Sequence, residues 1–368
     1  MTNMSSWKRL LKRTAQILAG GTILLACAGA AYEFLAERAD ARRFPQQGRS
    51  IRLGPEFQNI SLNLYCSGPA RPAVAAGASA LPTVILDSGL GVPAIGWKLV
   101  QDQVAQFVRV CSYDRAGYGW SDAGPLPRTS LQIARELHAL LTTAGEKGPF
   151  VLVGHSFGGF NVRVYTGQYP HDVVGMVLVD ASHEDQLQKF PVVVRRALLA
   201  PPTDTQLTIA DILLHVGITR ALQGSPDTSN SHNEFTQQVA ALKRSAKFYA
   251  ATTHELRAFP QSAEQTRVAG NLGDRPLIVL TAGIADPLDA LPQGATPKDL
   301  EEMHSVWVNE LQVSEMHLSM RGKRIMVADS DHMIPFERPD VIVAAIREVC
   351  DAAGNESYNT TGSPVVGQ

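Results

Sequence analysis

Gly154-His155-Ser156-Phe157-Gly158 closes the apolar run Val151-Leu152-Val153 and opens a helix-like stretch at 160–169. Strand, sharp turn and helix are the setting in which Gly-x-Ser-x-Gly presents a nucleophile. Such a turn strains the serine backbone and leaves no room for side chains at Gly154 and Gly158. It also aims the Phe157 N–H, at a helix start, toward whatever Ser156 attacks. The plain alternative, a glycine-rich turn that happens to contain serine, does not explain the flanking pattern. A serine hydroxyl needs a base, and the base needs an orienting acid, in the chain order Ser, Asp or Glu, His. His332 follows the last strand-like run and precedes a closing helix, the position expected of the base. His183 is the strongest rival; the remaining histidines read as solvated or packed rings. Two acids qualify. Asp180 is flush with the end of the strand-like run 175–180, and Asp286 lies in the loop after the run 276–281. A strand end fixes a side chain better, which favours Asp180 over Asp286, although an aspartate there can also simply cap a turn. The two oxyanion donors are expected to be the N–H groups of Phe157 and of Leu90, the latter following Ser88-Gly89. Neither His-Glu-x-x-His nor paired Cys-x-x-Cys spacing occurs, so no metal and no cofactor is expected.

Strand-like and helix-like runs alternate along most of the chain. Short apolar runs at 83–86, 108–113, 151–153, 175–180, 276–281 and 324–328 read as strands, those at 83–86 and 175–180 as buried on both faces. Residues 56–65 read as one or two more. Helices are expected at 97–107, 130–144, 160–169, 298–320 and 339–350. Alternation of this kind implies a mostly parallel sheet with helices on both faces and function at the strand C-termini. From 183 to 273 the alternation stops, and the stretch reads as an inserted helical cap with a polar break at 224–233. Residues 67–82 read as a surface loop. The expected organisation is 1–50 as a membrane anchor or signal segment with a linker at 39–54, 51–182 with 274–354 as the α/β core, 183–273 as the cap, and 355–368 as a polar, disordered tail.

The 368 residues are 45% hydrophobic and 18% charged, with a formal net charge of −2. That is enough for one large core, and without a basic stripe beyond the extreme N-terminus it argues against nucleic acid. At that terminus Lys8, Arg9, Lys12 and Arg13 precede the apolar run 14–32, which is just long enough to span a bilayer. Basic residues on its N-terminal side predict that the rest of the chain lies outside the cytoplasm, and the lack of a clean small-x-small cleavage site before an obvious mature start favours an uncleaved anchor. A cleaved signal peptide and a lipoprotein attachment at Leu24-Leu25-Ala26-Cys27 are the alternatives. Cys66 and Cys111 lie in strand-like runs, and either a bridge or two buried thiols fits.

Asp87-Ser88-Gly89-Leu90-Gly91, Asp114-Arg115-Ala116-Gly117-Tyr118-Gly119-Trp120-Ser121, Gly154-His155-Ser156-Phe157-Gly158-Gly159 and Asp331-His332 together resemble the α/β-hydrolase superfamily, in its esterase-like branch with a helical cap. The likeness spans roughly 51–353. It implies an eight-stranded sheet with an antiparallel second strand beside the fourth, which would make Cys66 and Cys111 neighbours and favour the bridge. It allows the acid after either strand. Where many members carry His-Gly at the oxyanion turn, this chain has Ser88-Gly89. Members that open epoxides or haloalkanes use aspartate as nucleophile, and Ser156 argues against both chemistries. The expected function is a serine hydrolase that cleaves a carboxylic ester of a small to medium, moderately apolar molecule through an acyl-enzyme on Ser156. Amide, thioester, lactone or carbon–carbon hydrolysis on the same triad is the alternative, as is a membrane-tethered binding protein without catalysis.

Overall fold

Val84-Ile85-Leu86, Val151-Leu152-Val153, Met176-Val177-Leu178 and Ile278-Val279-Leu280 lie side by side at the centre of one sheet. The computed structural model describes residues 3–69, 81–223 and 234–360. The eight strands are β1 (Arg49–Arg52), β2 (Ser61–Ser67), β3 (Thr83–Asp87), β4 (Val110–Tyr113), β5 (Phe150–His155), β6 (Val173–Val179), β7 (Leu277–Ala282) and β8 (Gly322–Val327). Their spatial order is β1-β2-β4-β3-β5-β6-β7-β8. Only β1 with β2 and β2 with β4 pair antiparallel. The six-strand remainder is parallel, as buried crossover connections require.

The helices are α1 (Asn3–Arg43), α2 (Lys98–Val104), α3 (Ser130–Ala144), α4 (Gly158–Gln168), α5 (Gln186–Lys189), α6 (Val192–Leu198), α7 (Asp204–His215), α8 (Ile218–Gln223), α9 (Glu234–Lys243), α10 (Ala246–Arg257), α11 (Phe259–Arg267), α12 (Pro297–Val306), α13 (Gln312–Met316), α14 (Ile334–Glu337) and α15 (Pro339–Thr360). Strand side chains alternate between two cores. Ile85, Leu152, Met176, Leu178 and Val279 join Leu137 and Leu140 of α3 and Tyr165 of α4 on one face. Val84, Leu86, Val151, Val153, Val177 and Ile278 join Val100 of α2 and Ile342 and Ile346 of α15 on the other. Helix boundaries follow local chemistry. Thr129 caps α3 by accepting from the Gln132 N–H, and Gly145, at φ +78°, ends it.

Cys66 stands opposite Cys111 in the β2–β4 register, and the two form a disulfide. For a closed loop with a sequence separation of 45, chain entropy gives a contribution of about 4 kcal/mol. A Cys66→Ala/Cys111→Ala variant is therefore expected to lose about 2–5 kcal/mol in urea unfolding. Reductant should lower the stability of the wild type and leave the variant unmoved. A wild type indifferent to reductant would contradict the bridge.

The described chain divides into two compact units, 1–46 with 202–249 and 47–201 with 250–368. The stretch 183–273, expected as one cap, is thus split between them. The linker expected at 39–54 is corrected: residues to Arg43 continue α1, and Arg49–Arg52 is the edge strand β1. In the first unit, Arg220 holds Glu33 and Asp40 of α1 through N–O contacts of 2.8 Å each, which gives the helix a reason to continue past its apolar run. The helix expected at 298–320 runs continuously from Pro297 to Met316, with a π-turn at Trp307–Leu311 between α12 and α13. Parts of the loop 67–82 and the break 224–233 fall outside the described residues. So does 361–368 of the expected tail, whereas α15 carries the backbone to Thr360. Within α1, Trp7–Arg43 is long and apolar enough to cross a membrane, by length and composition.

Candidate active site

Ser156 sits between β5 and α4 at φ +53°, in the left-handed region that non-glycine residues rarely enter. The turn is closed by close backbone approach. A Cβ on Gly154 would stand 2.6 Å from the Gly158 carbonyl oxygen, and one on Gly158 only 2.4 Å from that of Asp87. The Ser156 N–H donates to the Val179 carbonyl at 3.2 Å, and its own carbonyl accepts from Ser182 N–H at 2.9 Å. β6 therefore helps to hold the turn. Among the described residues Ser156 Oγ has no hydrogen-bond partner, so no protein group competes for its proton.

His332 lies between β8 and α14, and its Nδ1 meets Asp180 Oδ2 at 2.6 Å. Asp180, buried at the end of β6, is itself at φ +42°. Its other oxygen accepts from Ala282 N–H at 2.9 Å and Trp307 Nε1–H at 2.8 Å. Burial works against the carboxylate, but the bond and charge of His332, with these two donors, hold its pKa below the usual range. Partial burial works against a charged His332, yet Asp180 outweighs it and the ring's pKa lies above that of an ordinary histidine. Because a carboxylate only accepts, Nδ1 carries a proton and Nε2 is the basic nitrogen. His155 steadies the same loop. Burial, reinforced by the charge of His332, drops its pKa to about 3, so the neutral ring donates from Nε2 to the His332 carbonyl at 2.9 Å.

Ser156, Asp180, Asp286 and His332 line one cavity of about 380 Å³. Its far wall is apolar, formed by Phe190, Val194, Leu198, Leu291, Met303 and Trp307. Asp286 differs from Asp180 in environment. Burial raises its pKa, with His332 only partly opposing, and no hydrogen bond joins its side chain to the ring among the described residues. His183 is turned elsewhere: its Nδ1 accepts from Asp185 N–H at 3.0 Å, and its Nε2 meets Ser314 Oγ at 2.7 Å.

Leu90 and Phe157 are not walls of that cavity; Leu90 lies in the turn after β3, and Phe157 follows Ser156 at the start of α4. A Cβ on Gly89 would stand 3.1 Å from both Ser156 Cβ and His155 Nδ1, so a side chain there would crowd the serine. Neither the Leu90 nor the Phe157 N–H has a partner among the described residues. The turn is fixed from behind by buried Arg115. Its guanidinium donates to the Ser88 carbonyl at 2.6 Å, to the Gly89 carbonyl at 3.0 Å and to Asp87 at 2.9 Å. Glu255 of α10 in turn accepts from Arg115 Nε at 2.9 Å and from Tyr118 at 2.6 Å. The trans peptide then directs the Leu90 N–H opposite to the Gly89 carbonyl, away from Arg115. Sequence reasoning did not assign roles to Arg115, Glu255, Trp307 or His155. Arg115 stood inside a recognised motif, but Glu255 meets it across a long sequence separation, and the π-turn that aims Trp307 has no periodic signature.

A sequence model described as the alpha/beta hydrolase family matches residues 84–345. The chain belongs to that family, and hydrolysis is the reaction class this supports. It is 26% identical over 285 residues to a protein of Gibberella zeae named an AB hydrolase superfamily protein, covering 73% of this chain and 86% of that one. Among solved structures it is similar to a thermophilic esterase from Thermogutta terrifontis, at TM-score 0.53 and 19% identity, over 84% of this chain and 100% of the other. It is also similar to a putative epoxide hydrolase from Pseudomonas aeruginosa, at TM-score 0.58 and 18% identity, over 84% and 97% of the two chains. At these identities the structural likenesses concern the fold.

Proposed function

We propose that the protein is a serine hydrolase of carboxylic esters, with Ser156 as nucleophile, His332 as base and Asp180 as orienting acid. The observation that carries this reading is the 2.6 Å bond between His332 Nδ1 and Asp180 Oδ2 at the cavity that Ser156 also lines. Ser156 Oγ attacks the ester carbonyl carbon, and its proton passes to His332 Nε2. The oxyanion that forms is met by the Leu90 and Phe157 N–H groups, held in place by Arg115 and the start of α4. His332 then gives the proton to the departing alkoxide, leaving an acyl group on Ser156. Water, deprotonated by the same ring, releases the acid. Among the described residues no hydrogen bond joins Ser156 Oγ to His332, and catalytic contacts of this kind often tighten only when substrate is bound. The cavity's size and apolar wall favour a small to medium, moderately apolar acyl or alcohol group.

The basic residues ahead of the run 14–32 and the Cys66–Cys111 bridge support a catalytic unit on the non-cytoplasmic side of a membrane. The raised His332 pKa fixes the sign of the pH dependence. The base works only when neutral, so kcat/KM should rise with pH through a midpoint above about 6.5, the ordinary histidine value. A midpoint below that value in a kcat/KM–pH profile would contradict the Asp180 pairing.

The functional reading is tested with p-nitrophenyl butyrate and styrene oxide offered to the same preparation. Turnover of the ester, without ring-opening of the epoxide, is expected. Epoxide hydrolysis without ester turnover would overturn the proposal.

A further inference from the structure

Helix α7 has three faces rather than two. Asp204, Thr208, Asp211 and His215 recur at helical spacing as its polar side, and Leu207, Ala210 and Leu214 are its partly buried side. Between them Ile209, Ile212 and Leu213 form an apolar stripe that is 51%, 55% and 36% exposed. Ile218 and Leu222 continue it on α8, at 41% and 83% exposure. Contiguous exposed apolar side chains of this kind mark interaction surfaces.

The corner between α7 and α8 is fixed at a defined level of α1. A Cβ on Gly29 would lie 2.1 Å from the Val216 carbonyl oxygen, and one on Gly217 2.9 Å from the Gly29 carbonyl oxygen. The two backbones meet there because both residues are glycine. Gly29 lies near the end of the apolar run 14–32. Arg220 of α8 then grips Glu33 and Asp40, just beyond that run. The corner of the stripe thus meets α1 near the end of the apolar run 14–32, and α1 is itself apolar and exposed on the N-terminal side of that corner, at Ile23, Leu24 and Leu25.

We propose that α7 and α8 lie in the outer interfacial layer of the bilayer that α1 crosses, with Ile209, Ile212, Leu213, Ile218 and Leu222 among the acyl chains. The reading rests on α1 spanning the membrane. Continuity with the surface of α1 singles out lipid as the cover: one bilayer hides both surfaces. The polar side of α7, with Asp204 and Asp211, faces the headgroups and water, as an in-plane amphipathic helix requires.

The test uses the full chain reconstituted in vesicles of phosphatidylcholine and phosphatidylglycerol. An environment-sensitive fluorophore is placed on one cysteine at a time, with buried Cys350 replaced and Cys66–Cys111 left bridged. Native Cys27 reports on α1. Leu213→Cys and Thr208→Cys, each in a Cys27→Ala background, report on the stripe and the polar side. Blue-shifted emission and quenching by nitroxide-bearing lipid are expected at 27 and 213. At 208, quenching by aqueous iodide is expected instead. A label at 213 that behaves like the one at 208, while 27 is lipid-quenched, overturns the docking and leaves the span intact. A label at 213 that is blue-shifted yet untouched by nitroxide lipid assigns the stripe to a second protein copy and also overturns it. Absence of lipid quenching at 27 removes the span, and the docking with it.

Discussion

Ser156→Ala is expected to lower kcat for p-nitrophenyl butyrate by roughly 10⁴- to 10⁶-fold while leaving the folded state unchanged. The size of the loss follows from the mechanism. Without Oγ no acyl-enzyme forms, and what remains is the contribution of binding and of the oxyanion donors. The lack of effect on stability follows from the structure. Ser156 Oγ has no hydrogen-bond partner among the described residues, so its removal orphans nothing. Alanine at φ +53° meets the same backbone strain as serine. Thermal unfolding of the two proteins should superimpose. A variant that keeps activity within about tenfold of wild type would remove Ser156 from the chemistry.

The second large effect separates the two aspartates. Asp180→Asn should cost about 10⁴-fold in kcat. An amide facing His332 Nδ1 can offer its N–H, which favours the tautomer with the proton on Nε2 and removes the base. It also loses the negative charge that supports the imidazolium. Asp286→Asn should cost less than about tenfold. Its carboxyl shares the cavity but makes no hydrogen bond to the ring among the described residues. The kcat/KM profile should separate them too. The acid limb of any residual Asp180→Asn activity should move to lower pH, because the charge that raises His332 is gone. Comparable mild losses in both variants would mean that the ring is oriented by another group.

The sheet was legible because its signal is local. Residues that alternate between two buried faces read as short β-branched runs, and the family likeness placed β2 beside β4, where Cys66 and Cys111 face each other. The turn at Ser156 was legible for the same reason, since Gly154 and Gly158 mark a close approach whatever lies around it. Sequence left Asp180 and Asp286 open, with a lean to Asp180 from its strand-end position. In the structure the Asp180 N–H is tied to the Leu280 carbonyl at 2.8 Å, while Asp286 sits in the longer loop after β7. What stayed hidden depends on partners far apart in the chain. Arg220 extends α1 by reaching Glu33 and Asp40. Glu255 completes the support behind the Gly89 turn, and the π-turn brings Trp307 to Asp180. None of these leaves a periodic trace. Strand β1 was hidden by its own composition: Arg-Ser-Ile-Arg offers one apolar residue, and only the edge of a sheet accommodates it.

The account stands on a hydroxyl made nucleophilic by a neighbouring imidazole and carboxylate, and a fluorophosphonate reads that property directly. After incubation with the reagent, peptide mass spectrometry should find one adduct per chain, on the peptide carrying Ser156. The adduct should be absent in Ser156→Ala and should form far more slowly in His332→Ala. Modification that persists in Ser156→Ala, or that proceeds at the wild-type rate without His332, would contradict it.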